Sequence, residues 1–77
     1  MFYVYILQDK LTKEIYIGFS KNLIQRIKDH QKQNKNLVLI YYEAYRSEKA
    51  ARKREERLKL YGQSLSNLKR RIKDCFF

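Results

Sequence analysis

Two short segments near the start of the chain alternate side chains with a period of two across a polar break, so a β-hairpin is the starting point of any fold. In the first, Phe2, Val4 and Ile6 alternate with Tyr3, Tyr5 and Leu7; in the second, Ile15, Ile17 and Phe19 alternate with Tyr16 and Gly18. A four-residue loop from Asp9 to Thr12 would pair Gln8 with Lys13 and set Tyr5 opposite Tyr16. Both phenols then share the face opposite the aliphatic one. That placement depends on register, because a slip of one residue turns a side chain over.

Ser20 is the expected N-cap of a helix to about Gln33, with Leu23, Ile24 and Ile27 on its apolar face. Arg26 and His30 stand one turn apart beside that stripe, placed to point at the sheet. After the polar connector Lys32 to Asn36, the unbroken run Leu37 to Tyr45 reads as a third strand, central or well covered. Ser47 caps a second helix to Tyr61, Glu48 suits its first turn, and Gly62 is the expected C-terminal stop. A last helix from about Ser64 turns Leu65, Leu68 and Ile72 inward and Lys69, Arg70, Arg71 and Lys73 outward, with Asn67 in an N-terminal capping role. The fold class is α/β (α+β): a three-stranded antiparallel sheet flanked by helices, in the order β-β-α-β-α-α. With 77 residues the chain is expected to be one domain, since a chain of this length buries only about 60 to 65% of its unfolded surface.

The formal net charge of +10, from 18 Lys and Arg against 8 Asp and Glu, calls for a polyanionic partner, with nucleic acid first. Arg52, Lys53, Lys69, Arg70 and Arg71 are the candidates for sequence-independent phosphate contacts. No apolar run is long enough to span a membrane and no lipidation motif is present, which argues against a membrane partner. The opening residues lack the charged n-region of a signal peptide and read as a strand. Cys75, the only cysteine, fits a reducing cytoplasm.

Glu55 is out of place on its helix. It shares the i, i+4, i+7 stripe with Ala51 and Leu58, where an ionised carboxylate needs a partner or a cation. Its neighbour Glu56 turns about 100° away, toward solvent, as an i, i+4 partner for Arg52. A hard cation such as Mg²⁺ needs few protein oxygens, because it keeps several waters and shares phosphate oxygens.

Taken in order, Tyr3-Val4-Tyr5, Tyr16-Ile17-Gly18, Arg26, His30 and Arg54-Glu55-x-x-Leu58-Lys59 resemble the GIY-YIG nuclease superfamily. The likeness covers nearly the whole chain and is closest to small stand-alone bacterial members related to the N-terminal nuclease domain of the excinuclease C subunit. It implies metal-dependent hydrolysis of DNA phosphodiesters, with a place in repair or recombination. Catalytic roles are then implied for Tyr5, Tyr16, Arg26, His30 and Glu55, with Glu55 holding Mg²⁺ or Mn²⁺. Arg26 would meet the non-bridging oxygens, His30 would accept or relay a proton, and one tyrosine would act on the attacking water. Tyr5 is preferred as that base, with Tyr16 positioning, although the residues leave the order open. A phenol acting as base needs its pKa to fall from about 10. Tyr3 departs from the pattern, standing where the first motif has glycine. So small a surface implies that specificity comes from DNA structure, a homodimer or a partner protein. Two other readings stand beside this one: a non-catalytic basic nucleic-acid-binding module of the same fold, and a small basic scaffold protein of the ribosome or nucleoid.

Overall fold

The computed structural model describes residues 1–77. It runs β1 (Phe2–Asp9), β2 (Ile15–Ser20), α1 (Leu23–Gln33), β3 (Leu37–Tyr45), α2 (Glu48–Leu60) and α3 (Gly62–Arg71), then a 3-10 turn at Lys73–Cys75. The strands form one antiparallel sheet in the order β2-β1-β3, so the fold class and element order match the sequence reading. The central strand, however, is β1 and not β3. Val4 to Asp9 of β1 are buried without interruption, whereas the tyrosines of β3 carry hydroxyls to polar partners or face solvent. A run of apolar letters rich in tyrosine therefore serves an edge.

The hairpin register also differs from expectation. Gln8 pairs with Ile15, Leu7 with Tyr16 and Tyr5 with Gly18. The cause is Asp9, whose Oδ1 accepts from the Leu11 and Thr12 amides at 2.8 and 3.0 Å and lengthens the loop. Lys13 then takes a left-handed φ of 69°, and the Asp9 amide closes on the Glu14 carbonyl at 2.9 Å. The ladder moves by two residues, which preserves the parity of each strand. Tyr5 and Tyr16 thus remain on one face. Asp9 Oδ2 also accepts from Asn34 Nδ2 at 2.8 Å, tying the hairpin to the α1–β3 connector; this bond and the two loop amides hold its carboxyl below the ordinary range.

Each face of the sheet is covered differently. Val4 and Ile6 pack with Ala51, Leu58 and Leu68, so α2 and α3 lie on one side. Tyr5, Leu7 and Leu37 pack with Leu23, Ile27 and Leu39, so α1 lies on the other. Burying Leu58 and Leu68 contributes about 2 to 3 kcal/mol each relative to exposure. Ile24, expected inward, is 69% exposed.

Asn22, not Ser20, caps α1, its side chain accepting from the Gln25 amide at 3.2 Å. Ser20 still ends β2 and uses its hydroxyl to bind the Asn22 backbone. Ser47 caps α2 as expected. Gly62 is not a stop: neither glycine has positive φ, α2 ends at Leu60 with Tyr61 as its C-cap, and α3 begins at Gly62 rather than near Ser64. Asn67 sits within α3 and accepts from Arg70, so it is no cap. Arg52 pairs with Glu48 at 2.9 Å and not with Glu56.

One polar network crosses between β3 and α2. Arg54 donates Nε and Nη2 to the two Glu43 oxygens at 3.0 and 3.1 Å, and the same carboxylate accepts from the hydroxyls of Tyr41 and Tyr45. Glu43 stands in register with Val4, on the α2 side, and the network fixes the rotation of α2 about its axis. Burial and the Glu43 carboxylate push both phenols up to about 12. A raised phenol pKa stabilises the fold fully below the unfolded value near 10 and loses that contribution as pH rises toward 12. The urea midpoint is therefore expected to fall between pH 10 and 12, and Tyr41→Phe with Tyr45→Phe should flatten that fall. At neutral pH, Arg54→Met leaves Glu43 without its counter-charge and is expected to cost roughly 1 to 3 kcal/mol in urea denaturation, a buried-pair penalty reduced by partial exposure.

Candidate active site

Tyr5, from the middle of the central strand, lays its ring across the edge strand over Gly18. A methyl group built on Gly18 would collide with Tyr5 Cζ and Oη. This glycine is needed for close approach and not for its backbone angles. The ring is only 2% exposed, and its oxygen shares a hydrogen bond of 2.9 Å with His30 Nε2. The two rings meet edge to face at 5.8 Å. Leu23 and Ile27 seat α1 on the sheet, and that seat carries His30 to the phenol one strand away.

Arg26, one turn before His30, belongs to the same group. The neighbouring Tyr5 phenol is the main cause holding its guanidinium above even the ordinary arginine value, so it is a permanent cation. Arg26, Asp29, His30 and Gln33 line a polar cavity of about 180 Å³.

Tyr16 lies on the same face as Tyr5, next to Gly18 along β2, and is 40% exposed. Its hydroxyl donates to Glu14 Oε2 at 2.9 Å. That hydrogen bond, then the Glu14 charge, raises the Tyr16 pKa, opposite to what base catalysis by this phenol requires. Four of the five sequence-derived catalytic candidates, Tyr5, Tyr16, Arg26 and His30, therefore share one side of the sheet.

Glu55 stands on the other side, with α2. Its carboxylate pairs with Lys59 Nζ at 3.0 Å, and its side chain is 19% exposed; no hydrogen bond or ion pair joins it to the other four. Its direction is nonetheless defined. Arg54 reaches β3 through Glu43, while Arg52 lies over the Phe19 ring of β2 at 4.2 Å. At 100° per residue, Glu55 falls between Arg52 and the buried stripe, on the flank of α2 turned to β2. Because β2 is an edge strand, only its width separates that flank from the phenol face. Glu56 is exposed, as expected.

Nowhere do three or more His, Cys, Asp and Glu side chains converge as a metal cluster. Glu55 suits a cation of the kind that takes one carboxylate and completes its shell with water and phosphate, since its one partner, Lys59, is exposed and displaceable. Of the phosphate-contact candidates, Lys53, Lys69, Arg70 and Arg71 are exposed, whereas Arg52 is engaged by Glu48 and Phe19.

The sequence reading missed Glu14 and the Glu43–Arg54 pair. Glu43 carried the same signal as Glu55, a lone acid in an apolar pattern, with Tyr41 and Tyr45 at i−2 and i+2. Glu14 carried none beyond its parity with Tyr16.

A family model for the GIY-YIG catalytic domain matches residues 1–61. No curated protein and no solved structure matches the chain.

Two measurements probe this geometry. Gly18→Ala is expected to displace the Tyr5 ring and cost about 1 to 3 kcal/mol in thermal or urea unfolding, whereas Gly62→Ala, with open space around it, should be neutral or stabilising by up to about 1 kcal/mol. By ring-carbon NMR, Tyr16 should titrate above 10 and move down in Glu14→Gln; an unchanged titration would contradict the Glu14 contact.

Proposed function

Starting from the fact that the chain belongs to the GIY-YIG superfamily, a family of endonucleases, we propose that it is a metal-dependent endonuclease hydrolysing DNA phosphodiester bonds. The single observation that carries this reading is the Tyr5–His30–Arg26 group, built over Gly18 beside the exposed phenol of Tyr16.

Burial supports the following division of roles. Tyr5 is enclosed and its oxygen is committed to His30, so it organises Arg26 and His30 and does not itself reach the attacking water. Tyr16 is the accessible phenol and aligns that water. Arg26 offers a fork of donors to the non-bridging oxygens, whose charge grows in the transition state. His30, held through Nε2 by Tyr5 and lining the polar cavity, takes up or passes on a proton at its other ring nitrogen, Nδ1. Glu55, approached around the β2 edge, would hold Mg²⁺ or Mn²⁺, which when bound supplies Lewis-acid neutralisation of the leaving oxygen. The exposed cations Lys53, Lys69, Arg70 and Arg71 hold phosphates without reading sequence. No helix is long and apolar enough to cross a membrane. The exposed thiol of Cys75 suits a reducing cytoplasm, and a structure-directed nuclease there would serve DNA repair or recombination, with a second copy or a partner adding specificity.

One observation favours the non-catalytic binding module: Glu55 stands across the sheet from the phenols. A cleavage assay on nicked and branched DNA separates the readings. Wild-type protein with Mg²⁺ or Mn²⁺ should cut; Glu55→Gln should lose roughly 100-fold or more in rate while retaining metal-free DNA affinity; Glu56→Gln should stay within about twofold. Absence of cutting by the wild type, or equal effects of the two Glu→Gln changes, would end the nuclease reading.

A further inference from the structure

On the far side of α1 from Arg26 and His30 lies a groove that the hydrolytic machinery does not use. Its floor and walls are Leu23, Ile24 and Ile27 of α1, Leu39 and Tyr42 of β3, and Tyr3 of β1, and it encloses about 450 Å³. Tyr3 and Tyr42 meet edge to face with centroids 6.0 Å apart. Tyr42 is 52% exposed, and Ile24, as noted, is turned out of the core. Lys21 and Asn22 close the end at the α1 N-terminus.

We propose that this groove is a stacking site for an unpaired nucleobase of the DNA substrate. The proposal rests on the nuclease reading for the identity of the polyanion; the site itself stands on the groove.

Two observations select a nucleobase over an apolar peptide side chain or a second copy of the chain. The lining contains one cation and no anion, in a chain of net charge +10, so a ligand bearing phosphate meets no opposing carboxylate within the groove. The ring of Tyr42 supplies a half-exposed aromatic surface braced by Tyr3, and aromatic surfaces bind bases of any sequence because every base has a π-face. Position adds to this. Tyr3 and Tyr5 lie on the same side of the central strand, so the groove and the catalytic group flank α1 on one side of the sheet. A short unpaired strand rounding the α1 N-terminus would place one base in the groove and its phosphodiester near Arg26. Duplex DNA cannot do this without unstacking, which makes the groove a reader of DNA structure.

The experiment measures binding by fluorescence anisotropy in EDTA at fixed salt, using a blunt duplex, the same duplex with an unpaired tail, and a tail whose nucleotides are abasic. Wild-type protein should prefer the tailed over the blunt duplex by about tenfold, as one stacked base supplies, and the abasic tail should lose that preference. Tyr42→Ala, at an exposed position, should abolish the preference while leaving blunt-duplex affinity within about twofold; Tyr42→Phe, which keeps the ring, should retain it. Equal wild-type affinity for blunt and tailed DNA, or a preference that survives Tyr42→Ala, would overturn the proposal. Self-association of the free protein that Tyr42→Ala dissolves in sedimentation would overturn it in favour of an interface between copies. Because no divalent ion is present, a wild type that never cuts DNA leaves this readout intact, and failure here leaves the cleavage test intact.

Discussion

The arrangement turns on one close approach: the Tyr5 ring pressed against Gly18, where no β-carbon fits. That contact joins the central strand to the edge strand through side chain as well as backbone. It directs the phenol oxygen to His30 of α1. It also accounts for the near-complete burial of an aromatic hydroxyl without loss of its hydrogen bond, a condition that buried polar groups must meet. Three segments distant in sequence thus share one constraint. With α1 seated by Leu23 and Ile27, the phenol then fixes which groups of that helix, His30 and with it Arg26, gather over the edge strand.

The second organising contact lies on the opposite side. α2 buries only Ala51 and Leu58, a narrow stripe that would leave its rotation loosely specified. The fork from Arg54 to Glu43, with two phenols on the same carboxylate, supplies the missing specification. Such a network contributes less to net stability than its charges suggest, since desolvation of both ions opposes their attraction. Its value is orientation: with Arg54 fixed toward β3, the neighbouring Glu55 can face only the β2 flank.

Much of the fold was legible because its signals are local. Period-two alternation, the polar breaks and the Ser47 cap defined the elements, and parity alone placed Tyr5 and Tyr16 on one face even though the register was off by two. What was not legible required knowledge of side-chain reach. Asp9 lengthened the hairpin loop by capturing two amides, and a lysine took the left-handed position that sequence logic reserves for glycine or asparagine. Tyr41, Tyr42 and Tyr45 made an edge strand look central, because hydropathy counts a tyrosine's ring and overlooks its hydroxyl. Of the candidate site, the helix spacing of Arg26 and His30 was visible, whereas the enclosure of Tyr5 and the tie between Tyr16 and Glu14 were not.

Those two phenols show how environment divides like residues between tasks. Tyr5 is deep, bonded to an imidazole and adjacent to a guanidinium; Tyr16 is shallow and bonded to a carboxylate. A hydroxyl that donates to a carboxylate keeps its proton more firmly, so Tyr16 meets an approaching phosphodiester as a neutral phenol with its lone pairs free. In the reaction we propose, that state would accept a hydrogen bond from water and orient the nucleophile, and the water's proton would leave by another route. His30 is the imidazole on this side of the sheet; its Nε2 is held by the Tyr5 phenol, which leaves Nδ1 as the atom that would take the proton in the proposed reaction. The proposed division, proton movement at His30 and alignment at the exposed phenol, rests on depth and hydrogen-bond partners.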